Sequence, residues 1–392
     1  FGGVPLGGVF LGQAGGPLLA TARLGGPLLL TAEVWVVGGS LGELALMLPR
    51  LRLRRPAVHL RADAAPAKPA VAAAMVGIAG VVLLGGLGVV APSGSPTGGW
   101  VRVTAVQGGG RRGTTAQQVD PATVLRAQVR SSAALTPQRG PDPSLVVWPE
   151  DVISLSRPLP GSPQAATLAA LARRLRATVL AGVTVDTGPS SFRNEVVGWG
   201  PDGRVVGVYE KVHRVPFGEY IPWRGLVRHL ADVSAVPEDA VPGRGSGLVH
   251  TTAAPLGAMV SYEVFFADRG RSGTRAGAQL LVVPTNTSSY SSAQVPTQEV
   301  AASRLQAVAE GRDLVQAAPT GFSAVVDHDG RVLARSSLGP GAVLVRTVGL
   351  RTGRTLYERL GDLPVLVLAG AALVAGAFVV PSLPRRRARA IR

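Results

Sequence analysis

Three side chains in this sequence stand where apolar runs break. Glu150 follows Leu145-Val146-Val147-Trp148-Pro149, Lys211 follows Tyr209-Glu210, and Ser261 follows Ala258-Met259-Val260. A strand that ends in a sharp turn is where an α/β enzyme exposes a nucleophile. A hydroxyl, a carboxylate and an ammonium together supply what acyl transfer needs: an attacking atom, a base for its proton, and positive charge for the developing oxyanion. Taken singly, each has a plainer reading, as a loop carboxylate, a surface lysine or a turn serine. Lysine itself is scarce. Of the 40 basic residues only Lys68 and Lys211 are lysines. Retaining a compact ammonium in so arginine-rich a chain fits a role that a forked guanidinium does not fill.

The elements that must position these residues are short. Apolar runs and alternation predict strands over 100–107, 145–148, 178–185, 194–199, 205–210, 256–260, 279–284, 322–327 and 332–336. Helical spacing marks 116–131, 164–177 and 294–312. Pro201-Asp202-Gly203 and Asp329-Gly330 are hairpin turns. Many short strands with a few helices imply a layered α/β domain.

The remainder of the chain is apolar. Only 16% of its 392 residues are charged, and the mean hydropathy is +0.27. Residues 71–91 and 363–383 are uncharged and of membrane-spanning length. A third stretch, 28–48, is interrupted by Glu33 and Glu43. Basic residues cluster between the first two spans (Arg50, Arg52, Arg54, Arg55, Arg61, Lys68) and after the last (Arg385, Arg386, Arg387, Arg389, Arg392). The positive-inside rule puts both clusters on the cytoplasmic side. The expected organisation is therefore a membrane region over 1–91, an extracytoplasmic domain over 92–362, a transmembrane helix over 363–383 and a basic cytoplasmic tail over 384–392. The net charge of +16 is juxtamembrane in this reading, and nucleic acid is not an expected partner. The absence of cysteine excludes disulfides and thiolate metal sites. No spacing resembles a metal-ligand set, and no cofactor is expected.

Four segments carry a more specific signal. Trp148-Pro149-Glu150, Tyr209-Glu210-Lys211, the run from Val215 through Pro216-Phe217-Gly218-Glu219-Tyr220-Ile221 to Pro222, and Ser261-Tyr262-Glu263 occur in this order. Together they resemble the bacterial apolipoprotein N-acyltransferases, a membrane-embedded branch of the nitrilase superfamily. The Pro-Phe-Gly-Glu run is the most specific, and the likeness spans about residues 100–345. The resemblance implies a nitrilase-like α-β-β-α sandwich outside the membrane, joined to transmembrane helices. It implies Glu150 as general base, Lys211 as the electrophilic lysine, Glu219 as a second carboxylate supporting the site, and Tyr262 and Glu263 as the residues directly after the nucleophile. It also implies a reaction: a phospholipid acyl chain moves to the enzyme and then to the α-amine of a diacylglyceryl-cysteine lipoprotein, in a bacterial plasma membrane. The family's tryptophan in the loop after the first strand has no counterpart in Gln107-Gly108-Gly109-Gly110-Arg111-Arg112. The family also has more spans than this sequence, which begins at Phe1, so upstream helices are expected to be missing.

The resemblance departs at one decisive position, because Ser261 stands where the family has cysteine. A thiol is deprotonated near neutral pH far more readily than a hydroxyl. The expectation is a disabled or impaired Cys→Ser form, whether engineered, a natural serine variant or a natural non-catalytic relative that binds lipoproteins. Two other classes stay open: a membrane-tethered amidase using the same three residues, and a serine hydrolase drawing on His213, His229, His250 or His328. The second lacks the Gly-x-Ser-x-Gly frame.

Overall fold

The computed structural model describes residues 8–52, 67–110, 120–137, 139–140, 142–290, 292–339 and 341–379. Two long helices come first, α1 (Ala22–Arg52) and α2 (Ala67–Val90). Then follow β1 (Ser95–Gln107), α3 (Pro121–Ala133), β2 (Ser144–Val147), β3 (Ile153–Leu155), α4 (Pro163–Leu175), β4 (Thr178–Gly188), β5 (Ser191–Trp199), β6 (Val205–Glu210), α5 (Arg224–Val227), β7 (Asp239–Ala240), β8 (Leu248–His250) and β9 (Pro255–Ala258). The chain continues through α6 (Ala267–Arg275), β10 (Leu280–Pro284), α7 (Gln294–Glu310), β11 (Leu314–Ala317), β12 (Ala324–Val326), β13 (Val332–Arg335), β14 (Ala342–Thr352), α8 (Leu356–Leu360) and α9 (Leu363–Val379).

Two sheets form the centre. One has the order β14-β1-β2-β4-β5-β6, with β3 and β7 on its margins, and the other has the order β13-β12-β11-β10-β9-β8. Strands β1, β2 and β4 are mutually parallel, as are β9, β10 and β11. Alternate side chains of each strand face opposite layers. Val101, Val103, Leu145 and Val147 meet Leu256, Leu280, Val282 and Val315 between the sheets. Val146, on the other face of β2, packs under Leu168, Leu171 and Leu175 of α4. Leu281 and Val283 pack under α7. Both faces of the central strands are covered, which is why they read as unbroken apolar runs. Full burial of each such Val or Leu is worth about 1.5–3 kcal/mol. The result is an α-β-β-α sandwich, the expected architecture.

The helix starts follow their caps. Asp120 and Ser162 accept the N–H of Ala122 and Ala165, and each is followed by proline at the first helical position. The structure also corrects the sequence reading. The first strand begins at Ser95, and the first domain helix at Pro121; residues 111–119 of the predicted helix and preceding loop lie outside the described residues. Strand β14, which pairs antiparallel with β1 over ten residues from Ser95↔Thr352 to Gln107↔Ala342, was not predicted. Its exposed face and its arginines hide the apolar pattern.

Helix α1 breaks at Gly25 and Gly26. Gly26 has φ 61°, and a Cβ there would lie 2.4 Å from the Tyr357 ring, so only glycine fits. Beside the break, Arg23 donates from Nη1 to the Gly88 carbonyl of α2 at 3.3 Å. Its Nη2 donates to the His328 carbonyl at 3.4 Å and ion-pairs with Asp329, in the turn between β12 and β13. Two helices, over Leu19–Leu46 and Val71–Val90, are long and apolar enough to cross a membrane. The first lies several residues upstream of the predicted 28–48. Glu33 is buried and accepts from Thr21 Oγ1 at 2.7 Å, whereas Glu43 is exposed. The apolar helix Leu363–Gly376 is shorter. The tail over 384–392 lies outside the described residues, as do Arg54, Arg55 and Arg61.

Candidate active site

The sequence-predicted residues converge at the carboxyl ends of the strands, the usual ligand side of an α/β sheet. Glu150 follows β2, Lys211 follows β6 and Ser261 follows β9. Trp148 is fully buried, donating its indole N–H to Ser132 Oγ at 3.0 Å, and so anchors the turn that carries Glu150. That turn passes over Gly182. A Cβ at 182 would lie 2.5 Å from both Glu150 Cα and the Asp151 nitrogen. Gly182→Ala is therefore expected to cost about 1–3 kcal/mol of stability and to displace Glu150. A thermal melt and an activity assay on the same preparation check this.

Lys211 is 2% exposed, and its Nζ donates to Glu150 Oε1 and Glu219 Oε1, both at 2.9 Å. Asn194 Nδ2 donates to the same two oxygens, both at 2.8 Å. Two carboxylates and two nitrogen donors thus make a closed square. Asn194 opens the strand expected over 194–199, and nothing in its sequence context marks this position. Glu219 is fixed in turn by the Val215 N–H, which donates to its Oε2 at 2.7 Å. Burial alone would lower the pKa of Lys211, but Glu150 and Glu219 outweigh it and hold the pKa above its ordinary value. Burial pushes the Glu150 carboxyl upward; Lys211 opposes this and Glu219 reinforces it.

Ser261 has φ 48°, a left-handed conformation that costs a non-glycine residue about 1–3 kcal/mol. Strain of this kind is kept where the surroundings over-determine it, and here Glu263 does so. Its carboxylate accepts from the Val260 N–H at 2.8 Å, from Val212 N–H at 2.7 Å, from His213 N–H at 3.0 Å and from Tyr209 Oη at 2.9 Å. One side chain therefore ties the serine turn to the segment after Lys211. Tyr262 turns into an aromatic cluster, 5.0 Å from the Phe266 ring and 6.3 Å from Phe265.

The hydroxyl partners of Ser261 are residues the sequence reading missed. Ser261 Oγ donates to Glu299 Oε1 at 3.3 Å and lies 3.1 Å from Thr285 Oγ1, whose own proton goes to Glu299 Oε1 at 2.6 Å. Thr285 follows β10, and Glu299 lies on α7. The four candidate histidines are engaged elsewhere or exposed. His213 stacks on Phe266 and pairs with Asp268, His328 pairs with Asp313, and His229 and His250 are exposed. A serine–histidine arrangement is thus absent among the described residues.

Apolar side chains flank the site unequally. Ile221 and Phe265 are buried, whereas Phe217, Trp223, Leu226 and Leu230 are exposed. The segment carrying Glu219 therefore presents a greasy surface to its surroundings.

The carbon-nitrogen hydrolase family model matches residues 102–357, the sandwich and its site. The chain is 32% identical to the apolipoprotein N-acyltransferase of Mycolicibacterium smegmatis over 398 residues, covering 96% of this chain and 65% of the relative. It is 33% identical to that of Geobacter metallireducens over 247 residues, covering 62% and 46%. The chain thus spans about half to two thirds of the length of these relatives. Among solved structures, Saccharomyces cerevisiae Nit3, a member of branch 10 of the nitrilase superfamily, superposes with a TM-score of 0.48 at 17% identity, covering 76% of this chain and 99% of that one. The family model covers more than half of the chain, over the two-sheet sandwich with its buried Glu150–Lys211 pair, and the chain belongs to the carbon-nitrogen hydrolase family.

Proposed function

We propose that this protein carries out apolipoprotein N-acylation: an acyl chain passes from a phospholipid to residue 261, and then to the α-amine of a diacylglyceryl-cysteine lipoprotein. The observation that supports this most is the square of Glu150, Lys211, Glu219 and Asn194. Glu219 reaches it from the Pro216–Pro222 run, which marks the acyltransferase branch. The exposed Phe217, Trp223, Leu226 and Leu230 and the apolar helices suit two lipid-anchored substrates.

In this reading Lys211 stabilises the tetrahedral oxyanion. Glu150 is the base of the cysteine chemistry, and Ser261 in place of cysteine leaves the site impaired. The enzyme is multi-pass in a bacterial plasma membrane, with residues 92–362 on the extracytoplasmic side. The test supplies the protein and its Ser261→Cys variant, in detergent, with phospholipid or with a small aliphatic amide, plus a diacylated lipopeptide. Mass spectrometry is expected to find triacylated peptide with phospholipid and no acid released from the amide. Amide hydrolysis without peptide acylation would replace this reading with a tethered amidase. Peptide binding without turnover in either form would leave a lipoprotein-binding protein.

A further inference from the structure

Helix α7 turns a row of polar side chains inward: Glu299, Ser303, Gln306 and Glu310 are all buried. Three of them have structural partners. Ser303 Oγ donates to Gln316 Oε1 at 2.7 Å, and Gln306 Nε2 donates to the Val264 and Phe266 carbonyls, both at 3.0 Å. Glu310 accepts from Thr274 Oγ1 at 2.9 Å. Glu299 is the member that reaches the nucleophile. Its Oε1 accepts from Ser261 Oγ at 3.3 Å and from Thr285 Oγ1 at 2.6 Å. Its Oε2 is buried with no partner among the described residues. Among the described residues Glu150 makes no hydrogen bond to Ser261; its Oε1 accepts from Lys211 and Asn194.

We propose that Glu299 is the proton acceptor for Ser261, a base this site uses for its serine. The proposal rests on the acyl-transfer reading above and assigns that reaction a further catalytic residue. As Oγ attacks the carbonyl of an acyl ester, the O–H bond breaks and the proton moves to Glu299 Oε1 while the Oγ–C bond forms. The tetrahedral oxyanion collapses, the bond to the departing alcohol oxygen breaks, and that oxygen takes the proton from Glu299. The products are a serine ester, the free alcohol and a regenerated carboxylate. In the second half, the acceptor amine attacks this ester and releases its proton to Glu299, which returns it to Ser261 Oγ.

The electrostatics agree with the geometry. Burial pushes the Glu299 carboxyl up to about 7; hydrogen bonds from Thr285 and Ser261 and the Lys211 charge oppose this, and Glu150 reinforces it. A base works best when its pKa lies near the operating pH. The groups that face Glu299 come from every wall of the site: Ser261 after β9, Thr285 after β10, Glu150 after β2, Lys211 after β6, and Tyr290, whose hydroxyl burial pushes up and the Glu299 charge pushes further.

The test compares four proteins: the parent, Glu299→Gln, Ser261→Cys, and the double variant. Each is supplied with p-nitrophenyl palmitate or with palmitoyl-oleoyl phosphatidylglycerol in detergent, and acylation of residue 261 is followed by intact-protein mass spectrometry. Glu299→Gln is expected to slow acylation of the serine by about 10²-fold or more, the usual worth of a general base. On the cysteine background the same change is expected to slow it by less than about 5-fold, because a thiol needs far less help to ionise. The parent's rate is expected to climb as pH rises through about 7 and then level off, since the carboxylate must be unprotonated to accept. Equal losses on both backgrounds would reduce Glu299 to a structural acceptor for Thr285 and overturn the proposal. So would an undiminished rate in Glu299→Gln, or a parent profile flat through pH 7, which decides the matter even if the glutamine variant does not fold. Acylation by the nitrophenyl ester but not by phospholipid would sink the functional reading and still leave the role of Glu299 measured.

Discussion

Lys211→Met is expected to abolish acylation of residue 261, with a loss of about 10³-fold or more in rate. Removing a single preorganised oxyanion donor costs about 2.7–4 kcal/mol in comparable sites, and this substitution does more than that. Methionine leaves Glu150 and Glu219 across from one another with Asn194 as their only shared donor. Two close buried carboxylates cannot both stay ionised, so one takes up a proton. On the Ser261→Cys background Glu150, the base proposed there, is compromised together with the oxyanion partner. Lys211→Arg keeps the charge but has to seat a forked group in a space that is 2% exposed, and a loss of about 10-fold or more is expected. The pH dependence separates these effects from titration. Because its carboxylate partners raise the Lys211 pKa, the ammonium contribution is fully present below the unfolded value of about 10.4 and fades only as pH rises beyond it. The deficit of Lys211→Met is thus expected to be constant between about pH 8 and 9, above the range in which Glu299 titrates; at lower pH the Lys211 charge also acts on the Glu299 carboxyl. Rates of acyl-enzyme formation across that range, with melting curves as a folding control, measure it. A variant within a few-fold of the parent would remove Lys211 from the chemistry.

Ser261→Cys is expected to work in the opposite direction, raising acyl-enzyme formation by about 10²–10³-fold, or ~3–4 kcal/mol of barrier. Sulfur is close to oxygen in shape and far more easily ionised, and the nearby Lys211 ammonium favours the thiolate. The backbone needs no change, since φ 48° at this position is imposed by Glu263 through Val260, Val212 and His213, not by the side chain of residue 261. The measurement is the single-turnover rate of acylation by phospholipid, read as a thioester against an ester of the parent. A rate no higher than that of the parent, in a protein that melts at the same temperature, would refute the claim that the serine limits the site.

The parts of the molecule that were legible in the sequence are those where one physical constraint dominates. Leu145–Val147, Val179–Val183 and Leu280–Val283 are covered on both faces, so burial wrote continuous apolar runs. Glu150, Lys211 and Ser261 were legible because each ends such a run. Strand β14 was not, because Arg346 and Arg351 interrupt a strand with one open face. Glu299 and Asn194 were invisible for a different reason. Each sits inside a regular element, and what ties it to the candidate site is a neighbour distant in sequence: 38 residues for Glu299 and Ser261, 44 for Asn194 and Glu150. No local period records such a pairing. The spacing of Glu299, Ser303, Gln306 and Glu310 on one helix was the available clue that α7 buries polar groups.

Arg23 has one further consequence. It grips the end of α2, the turn between β12 and β13, and by position the broken start of α1. Strand β12 lies beside β11, and β11 beside β10, whose end delivers Thr285 to Ser261. A sideways load on α1 is shared between these Arg23 contacts and the apolar seam that Ala22 and Leu30 form with Leu305, Val308 and Ala309 of α7 and with Tyr357. Helix α7 also carries Glu299, so on the proposed membrane placement the bilayer-facing helices and the site share one supporting helix.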